Sequence, residues 1–175
     1  MASFETAMVV LVPEAEPLVR PFRDRFDPVA AQGMPAHITI NYPFLSEVST
    51  CVEAVDELRR HLNSYPCFDF SLVRMARFPH VLHLVPEPDS PFKDLIKDIW
   101  DRYPQAPPYG GLFADIVPHL TVAQVDDQLQ LERIQMEFTR ASEGKLPIRS
   151  RVEEVWLMDN REGYWKPRIS FGLSD

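Results

Sequence analysis

The sequence is short of several things that announce a class. It has two cysteines, Cys51 and Cys67. They form neither a disulfide framework nor a metal-binding spacing, and read as reduced thiols of a cytoplasmic protein. Positive charge is scarce: 18 Lys and Arg stand against 26 Asp and Glu, a net charge of −8. That excludes a broad basic surface for extended duplex nucleic acid, whose binding depends on neutralising phosphates. It leaves room for a pocket that holds one phosphate. Long apolar runs are missing too. The opening segment has no basic leader, and its hydrophobic stretch is too short to span a bilayer, so neither an export signal nor a membrane anchor is expected. Glycine is rare, at six, whereas proline is plentiful, at seventeen. Pro13, Pro43, Pro79, Pro86, Pro104, Pro107 and Pro108 sit at joints between elements rather than in one linker. With no low-complexity segment and 45% hydrophobic residues, residues 1–175 are expected to form one domain with a sizeable core.

What is present reads as alternating strands and helices. Residues 6–13 form an apolar run closed by proline, a buried strand. Residues 14–26 place Leu18, Phe22 and Phe26 on one helical face, with Pro21 predicting a late start or a kink. Residues 27–35 read as a loop and 36–44 as a strand. Residues 46–65 form a helix with Val52, Val55, Leu58 and Leu62 on its stripe. Strands are expected at 67–79 and 80–86. A helix follows at 90–103, with Ser90 as N-cap and Pro91 at its first position. Residues 104–118 are a Pro/Gly loop able to wall a site. Then come a strand at 119–125, a helix at 126–144 with Leu129, Leu131, Ile134, Met136 and Phe138 as its apolar side, and strands at 146–160 and 164–173.

The order strand, helix, strand, helix, strand occurs twice, with one strand extra. Leu-Val-Pro-Glu recurs at 11–14 and 84–87, each time ahead of a strand containing His-x-Thr. The repeat divides the chain into approximate lobes, 1–79 and 80–175.

Those two strands carry the chemistry. "PAHITI" spans 35–40 and "PHLTVA" 118–123. On a strand, residues i and i+2 share a face. His37 and Thr39 therefore point one way and Ile38 and Ile40 the other; His119 and Thr121 oppose Leu120 and Val122. Two imidazoles and two hydroxyls around one cleft suit phosphoryl chemistry. A neutral histidine takes a proton, a protonated one gives one, and the hydroxyls donate to the non-bridging oxygens. The scheme needs no cofactor and no metal.

These residues, with "MPAHITINYPF" (34–44), "VLHLVPEP" (81–88), "PYGGLFADIVPHLTVAQ" (108–124) and "VWLMDNREGYWKPRISFGL" (155–173), resemble the two-histidine phosphoesterase superfamily in its bacterial 2′,5′ RNA ligase-like branch. The resemblance spans nearly the whole chain. It implies an α+β bilobal, duplicated fold with two antiparallel sheets and outer helices, around a central cleft carrying two HxTx motifs. It implies a phosphoesterase acting on 2′,3′-cyclic phosphates or 2′,5′-phosphodiester bonds of RNA ends or small nucleotides. Carried over, His37 and His119 are the catalytic histidines, and Thr39 and Thr121 bind phosphate.

Further candidates line up behind these. His83 lies in "VLHLV" and either lines the cleft or sits in a half-buried strand. Tyr42 falls on the opposite parity from His37 if its strand stays regular, which Pro43 puts in question. Tyr109 and Phe113 precede the second motif and could stack on a base. Arg149 with Arg151, and Lys166 with Arg168, share faces and read as salt-bridge partners before phosphate ligands. Trp156 and Trp165 read as core anchors, and His61 and His80 as exposed. Two other readings compete: a non-catalytic binder of phosphorylated nucleotides or RNA ends, and a metal site formed by His37 and His119 with Asp115 or Asp126. The hydroxyls at +2 argue against the metal site. The expected partner is a nucleotide with a cyclic phosphate or an RNA terminus, met by a monomer with no membrane contact.

Overall fold

The computed structural model describes residues 4–175. Eight strands form one antiparallel sheet: β1 Thr6–Leu11, β2 His37–Asn41, β3 Phe68–Phe78, β4 Val81–Glu87, β5 Leu120–Gln124, β6 Ile148–Val152, β7 Glu154–Asp159 and β8 Lys166–Gly172, in the order β6-β3-β4-β5-β2-β1-β7-β8. The expectation of two sheets is thus corrected. The halves meet between β2 and β5 in a single residue pair, Ile38 with Leu120. Each of these residues directly follows one of the motif histidines.

Each half contains the same antiparallel pair joined through a helix: β1 and β2 through α1 (Glu16–Phe26), β4 and β5 through α4 (Ser90–Arg102). The helices cross over, α1 packing on β5 and α4 on β2. Between them come α2 (Pro28–Ala31) and α3 (Val52–Leu62), and α5 (Gln128–Ser142) follows β5. Isoleucine and leucine side chains on one face of the sheet, Ile38, Leu84 and Leu120 among them, meet Phe22, Leu58, Leu95 and Phe138 of the helices in the main core. Alternation therefore sends the motif histidines to the other face.

The sheet halves do not follow a cut at residue 79. β3 pairs with β4 and β6, while β1, β2, β7 and β8 make the other half. The long strand expected at 146–160 breaks at Glu153. Its first part joins β3 on one edge, and its second joins β1 in the other half. The Leu-Val-Pro-Glu echo is also out of step by one residue. Val10 pairs with Ile38 and Leu84 with Leu120, so Leu11 corresponds to Val85, not Leu84.

Local details depart from the sequence reading where a side chain found better use. Pro21 lies inside an unbroken α1; burial of Leu18, Val19 and Phe22 outweighs one lost hydrogen bond. Residues 28–31, read as loop, form a turn of helix because Asp27 accepts the Val29 N–H. Asp89, not Ser90, is the residue before α4, so Ser90 is its first residue. Val52, Leu129 and Met136, placed on apolar stripes, are exposed. His61, expected at the surface, is half-buried against Tyr65 and hydrogen-bonds Asp98. Among the described residues, no helix is long and apolar enough to cross a membrane.

Candidate active site

The one pair joining the sheet halves sets the geometry. In antiparallel register, one residue either side of Ile38 and Leu120, His37 falls beside Thr121 and Thr39 beside His119. Each imidazole thus neighbours the other motif's hydroxyl, on the face away from the helices. The four motif residues come together as the alternation argument required, and all four are half-buried.

Both histidines are held in the same way. His37 Nδ1 lies 2.7 Å from the Pro35 carbonyl oxygen, and His119 Nδ1 lies 2.8 Å from that of Val117. A carbonyl only accepts, so each Nδ1 carries the proton and each Nε2 keeps its lone pair. Strand entry supplies this contact, since the carbonyl is two residues before the ring in each motif. Glu16 of α1 fixes the first entry, its Oε1 accepting the Ala36 N–H at 2.6 Å.

The site's own residues disfavour positive charge on the histidines. His37 is lowered to about 4, first by burial, then by the Arg23 charge, with His119 adding to it. His119 is also lowered by burial, opposed by its bond to Val117. Both rings are therefore neutral near neutral pH, ready to take a proton. An anion between them would favour the charged form of one.

A β-bulge shapes each half. Between Met8 and Val9, β2 carries the extra residue Ile40; between Leu82 and His83, β5 carries Val122. The first bulge reverses the parity of the residues beyond it. Asn41 turns into the core, where its Nδ2 donates to the Ala106 carbonyl at 3.0 Å. Tyr42 turns onto the histidine face, against the expectation for a regular strand. There it meets Trp165 edge to face, and its hydroxyl donates to Glu5 at 3.0 Å.

His83 pairs with Thr121 and so shares the histidine face, but it is only 2% exposed. It is a buried wall rather than cleft surface. Its ring stacks on Phe78 at 4.1 Å and stands 5.3 Å from His119, while Phe78 meets His119 edge-on at 5.0 Å. Its Nδ1 has no partner. Burial, then the neighbouring His119, lower it to about 4. The matching position in the other half is Val9, which pairs with Thr39.

Tyr109 is the one described non-glycine residue in left-handed backbone, at φ 53°. Its N–H donates to the Tyr42 carbonyl at 2.6 Å. Burial pushes its phenol up, opposed by the nearby Thr39 hydroxyl. Phe113 packs edge-on against Tyr109 at 5.8 Å and is exposed, as are Leu112 and Val117 in the same loop.

Trp165 is buried and Trp156 half-buried; with Val9, Met34 and Met158 they make a second apolar cluster on the histidine face of the β1–β7–β8 half. Arg151 pairs with Asp69, Arg168 with Asp159 and Glu162, and Lys166 with Glu162, as salt-bridge readings expected, but Arg149 has no such partner among the described residues. Asp126 lies near the exposed His80, not the motif histidines. Among the described residues, no three His, Cys, Asp or Glu side chains gather to hold a metal ion. Sequence reasoning passed over Glu16, Phe78 and Arg23. Arg23 is buried within the apolar stripe of α1, bonded to Asp27 at 3.0 Å, with Nη2 unpartnered. A charge inside a hydrophobic period was the available signal.

A once-bulged β-α-β unit, present in each half and contributing one His-x-Thr strand to a shared face, defines the architecture of a two-histidine phosphoesterase. A model of the 2′-5′ RNA ligase superfamily matches residues 11–163. The chain belongs to that superfamily, and membership supports a phosphoesterase activity. Solved structures agree on the fold. E. coli LigT complexed with 3′-AMP is similar at TM-score 0.66 and 14% identity, over 98% of either chain. A structure described as a phosphoesterase gives 0.64 and 15%, over 99% of this chain and 100% of the other. E. coli LigT complexed with NADP+ gives 0.60 and 17%, over 100% of both. No curated protein matches the chain.

Proposed function

We propose that the chain is a metal-independent phosphoesterase that opens 2′,3′-cyclic phosphates, or cleaves 2′,5′-phosphodiester bonds, in small nucleotides or RNA ends. The observation that carries this reading is the like tethering of two imidazoles, each with Nδ1 bound to the carbonyl two residues earlier. Both Nε2 atoms are then free for proton transfer.

In the hydrolytic direction, one Nε2 takes a proton as a water oxygen bonds to phosphorus. The bond from phosphorus to the ribose oxygen breaks, and the other histidine, protonated, gives that oxygen its proton. Thr39 and Thr121 donate to the non-bridging oxygens as charge builds. The anionic substrate supplies the second proton's stability, because its charge favours an imidazolium that burial disfavours. With a 5′-hydroxyl in place of water, the same displacement breaks the bond from phosphorus to the 3′-oxygen, which takes the proton, and leaves a 2′,5′ bond; the reverse of that step cleaves a 2′,5′ link to the cyclic phosphate. The structurally similar LigT is seen with 3′-AMP and with NADP+, which supports a nucleotide as the substrate here.

The test is turnover of nucleoside 2′,3′-cyclic phosphates in the presence of a chelator. Wild type is expected to be active there. His37→Ala and His119→Ala should each lose roughly 10²- to 10⁴-fold in kcat. Thr39→Ala and Thr121→Ala should each lose about 10²-fold. Wild-type binding without turnover would point instead to a recognition module.

A further inference from the structure

The two halves of the cleft are alike in backbone but not in charge. On β3, Arg74 pairs with Val85 of β4. On β4, His83 pairs with Thr121 and Leu84 with Leu120; one residue further in that register, Val85 lies beside His119. Arg74, Val85 and His119 thus form a row across three neighbouring strands, on the histidine face. At strand spacing, the Arg74 Cα is about 10 Å from that of His119. Valine is short, so the longer guanidinium can lean over it toward the imidazole. The equivalent row in the other half runs from His37 to Leu11. Continued through the β1–β7 register, in which Val9 pairs with Trp156, it ends on Glu154. One side of the cleft presents a cation where the other presents a carboxylate.

Arg74 is also uncommitted. It is exposed and, among the described residues, forms no ion pair or hydrogen bond. Of the other strand arginines, Arg77 is engaged with Gln128 and Gln135, Arg151 with Asp69, and Arg168 with Asp159 and Glu162; Arg149 is also without a partner among the described residues, but it lies on edge strand β6, beside Ser71 and outside the row that ends on His119. Glu87 is two residues beyond Val85 on the same face, yet Arg74 is not paired with it. Its charge reaches the site, since it helps hold His83 neutral. In a chain of net charge −8, a free cation beside the candidate centre is a place for an anion.

Resting on the phosphoesterase reading, we propose that Arg74 forms a second anion subsite, taking a phosphate one nucleoside away from the phosphate that reacts. The cleft then has a direction, with the substrate's second phosphate over β3 and away from Glu154. That phosphate is either the preceding internucleotide link of an RNA end or a terminal 5′-phosphate on a nucleotide; the chemistry is shared.

Three substrates separate these cases: adenosine 2′,3′-cyclic phosphate, the same nucleotide bearing a 5′-phosphate, and a diadenosine dinucleotide ending in the cyclic phosphate. A charge-assisted contact predicts that wild type prefers at least one two-phosphate substrate about tenfold in kcat/KM, mainly through KM. Preference for the dinucleotide alone identifies an RNA end, and for the 5′-phosphate alone a free nucleotide. Arg74→Ala should bring the ratio to about one and Arg74→Glu below one, with melting temperatures unchanged. A wild-type ratio near one, or an Arg74→Ala loss equal on all three substrates, overturns the subsite. If wild type turns over none, the reaction reading fails separately. The affinity ratio of adenosine 2′,5′-bisphosphate to adenosine 2′-phosphate, in wild type and Arg74→Ala, then decides on Arg74 by the same criterion.

Discussion

At the residue scale, the site is built from side chains whose usual behaviour is altered by a few neighbours. His37 is neutral because it is buried and faces Arg23. This gives the pH dependence of stability its sign. The unfolded chain takes up this proton near 6.5 and the folded chain only near 4, so protons favour the unfolded state in between. The stabilisation from neutral His37 is complete above about 6.5 and is lost as pH falls toward 4. Melting temperature should drop across that window, and less steeply in His37→Gln. An added nucleotide should oppose the drop by stabilising an imidazolium.

His83 gives a second residue-scale prediction. A buried, unpartnered nitrogen costs about 1–3 kcal/mol, and the other half uses valine at this place. His83→Val should therefore change the melting temperature little, the smaller volume offsetting the relief. It should lower kcat, because the Phe78–His83 stack that walls the His119 ring is gone. Thermal melts and steady-state kinetics on the same preparation check both halves of the statement. His83's presence beside Thr121 was partly legible, since its strand was identified. Its burial was not, because Phe78 reaches it from the neighbouring strand.

At the element scale, the bulges and the 104–118 loop decide what faces the cleft. Strand parity placed His37, Thr39, His119 and Thr121 correctly because those residues precede each bulge. It failed for Tyr42, which lies beyond one. Nothing in "ITINY" distinguishes a regular strand from a bulged one; the extra residue is set by pairing with β1. The loop is tied to β2 by the Asn41–Ala106 hydrogen bond and the Tyr109–Tyr42 backbone contact. Asn41→Ala leaves the Ala106 carbonyl without that partner and should cost about 1–3 kcal/mol. Limited proteolysis should then cut within 104–118 sooner than in wild type, while Val52→Ala, an exposed position, leaves the rate unchanged.

At the scale of the whole molecule, the chain crosses between halves more than its internal echo implies. β7 and β8 complete the half begun by β1 and β2, and the break at Glu153 carries the chain there from β6. The two helices pack beneath each other's His-x-Thr strand, so neither half closes its core alone. One cooperative unfolding transition is expected, with fluorescence from Trp156 and Trp165 in one half and from Trp100 on α4 changing together with far-ultraviolet circular dichroism. Two separated transitions would contradict this.

By itself, the sequence determined the alternation that puts each imidazole with a hydroxyl and each aliphatic partner in the core. That information is local, carried by a period of two residues, and survives without knowledge of what pairs with what. It also pointed to the phosphoesterase superfamily whose model matches residues 11–163, because two His-x-Thr strands in one short chain suit paired proton transfer. Only the tertiary structure decided that the sheet is continuous through Ile38 and Leu120, that Tyr42 turns onto the histidine face, that His83 is buried against His119, and that Arg74 and Glu154 oppose each other across the cleft. Each of those depends on register between strands distant in sequence, and register is fixed by the pairing and packing of the assembled sheet rather than by any one segment.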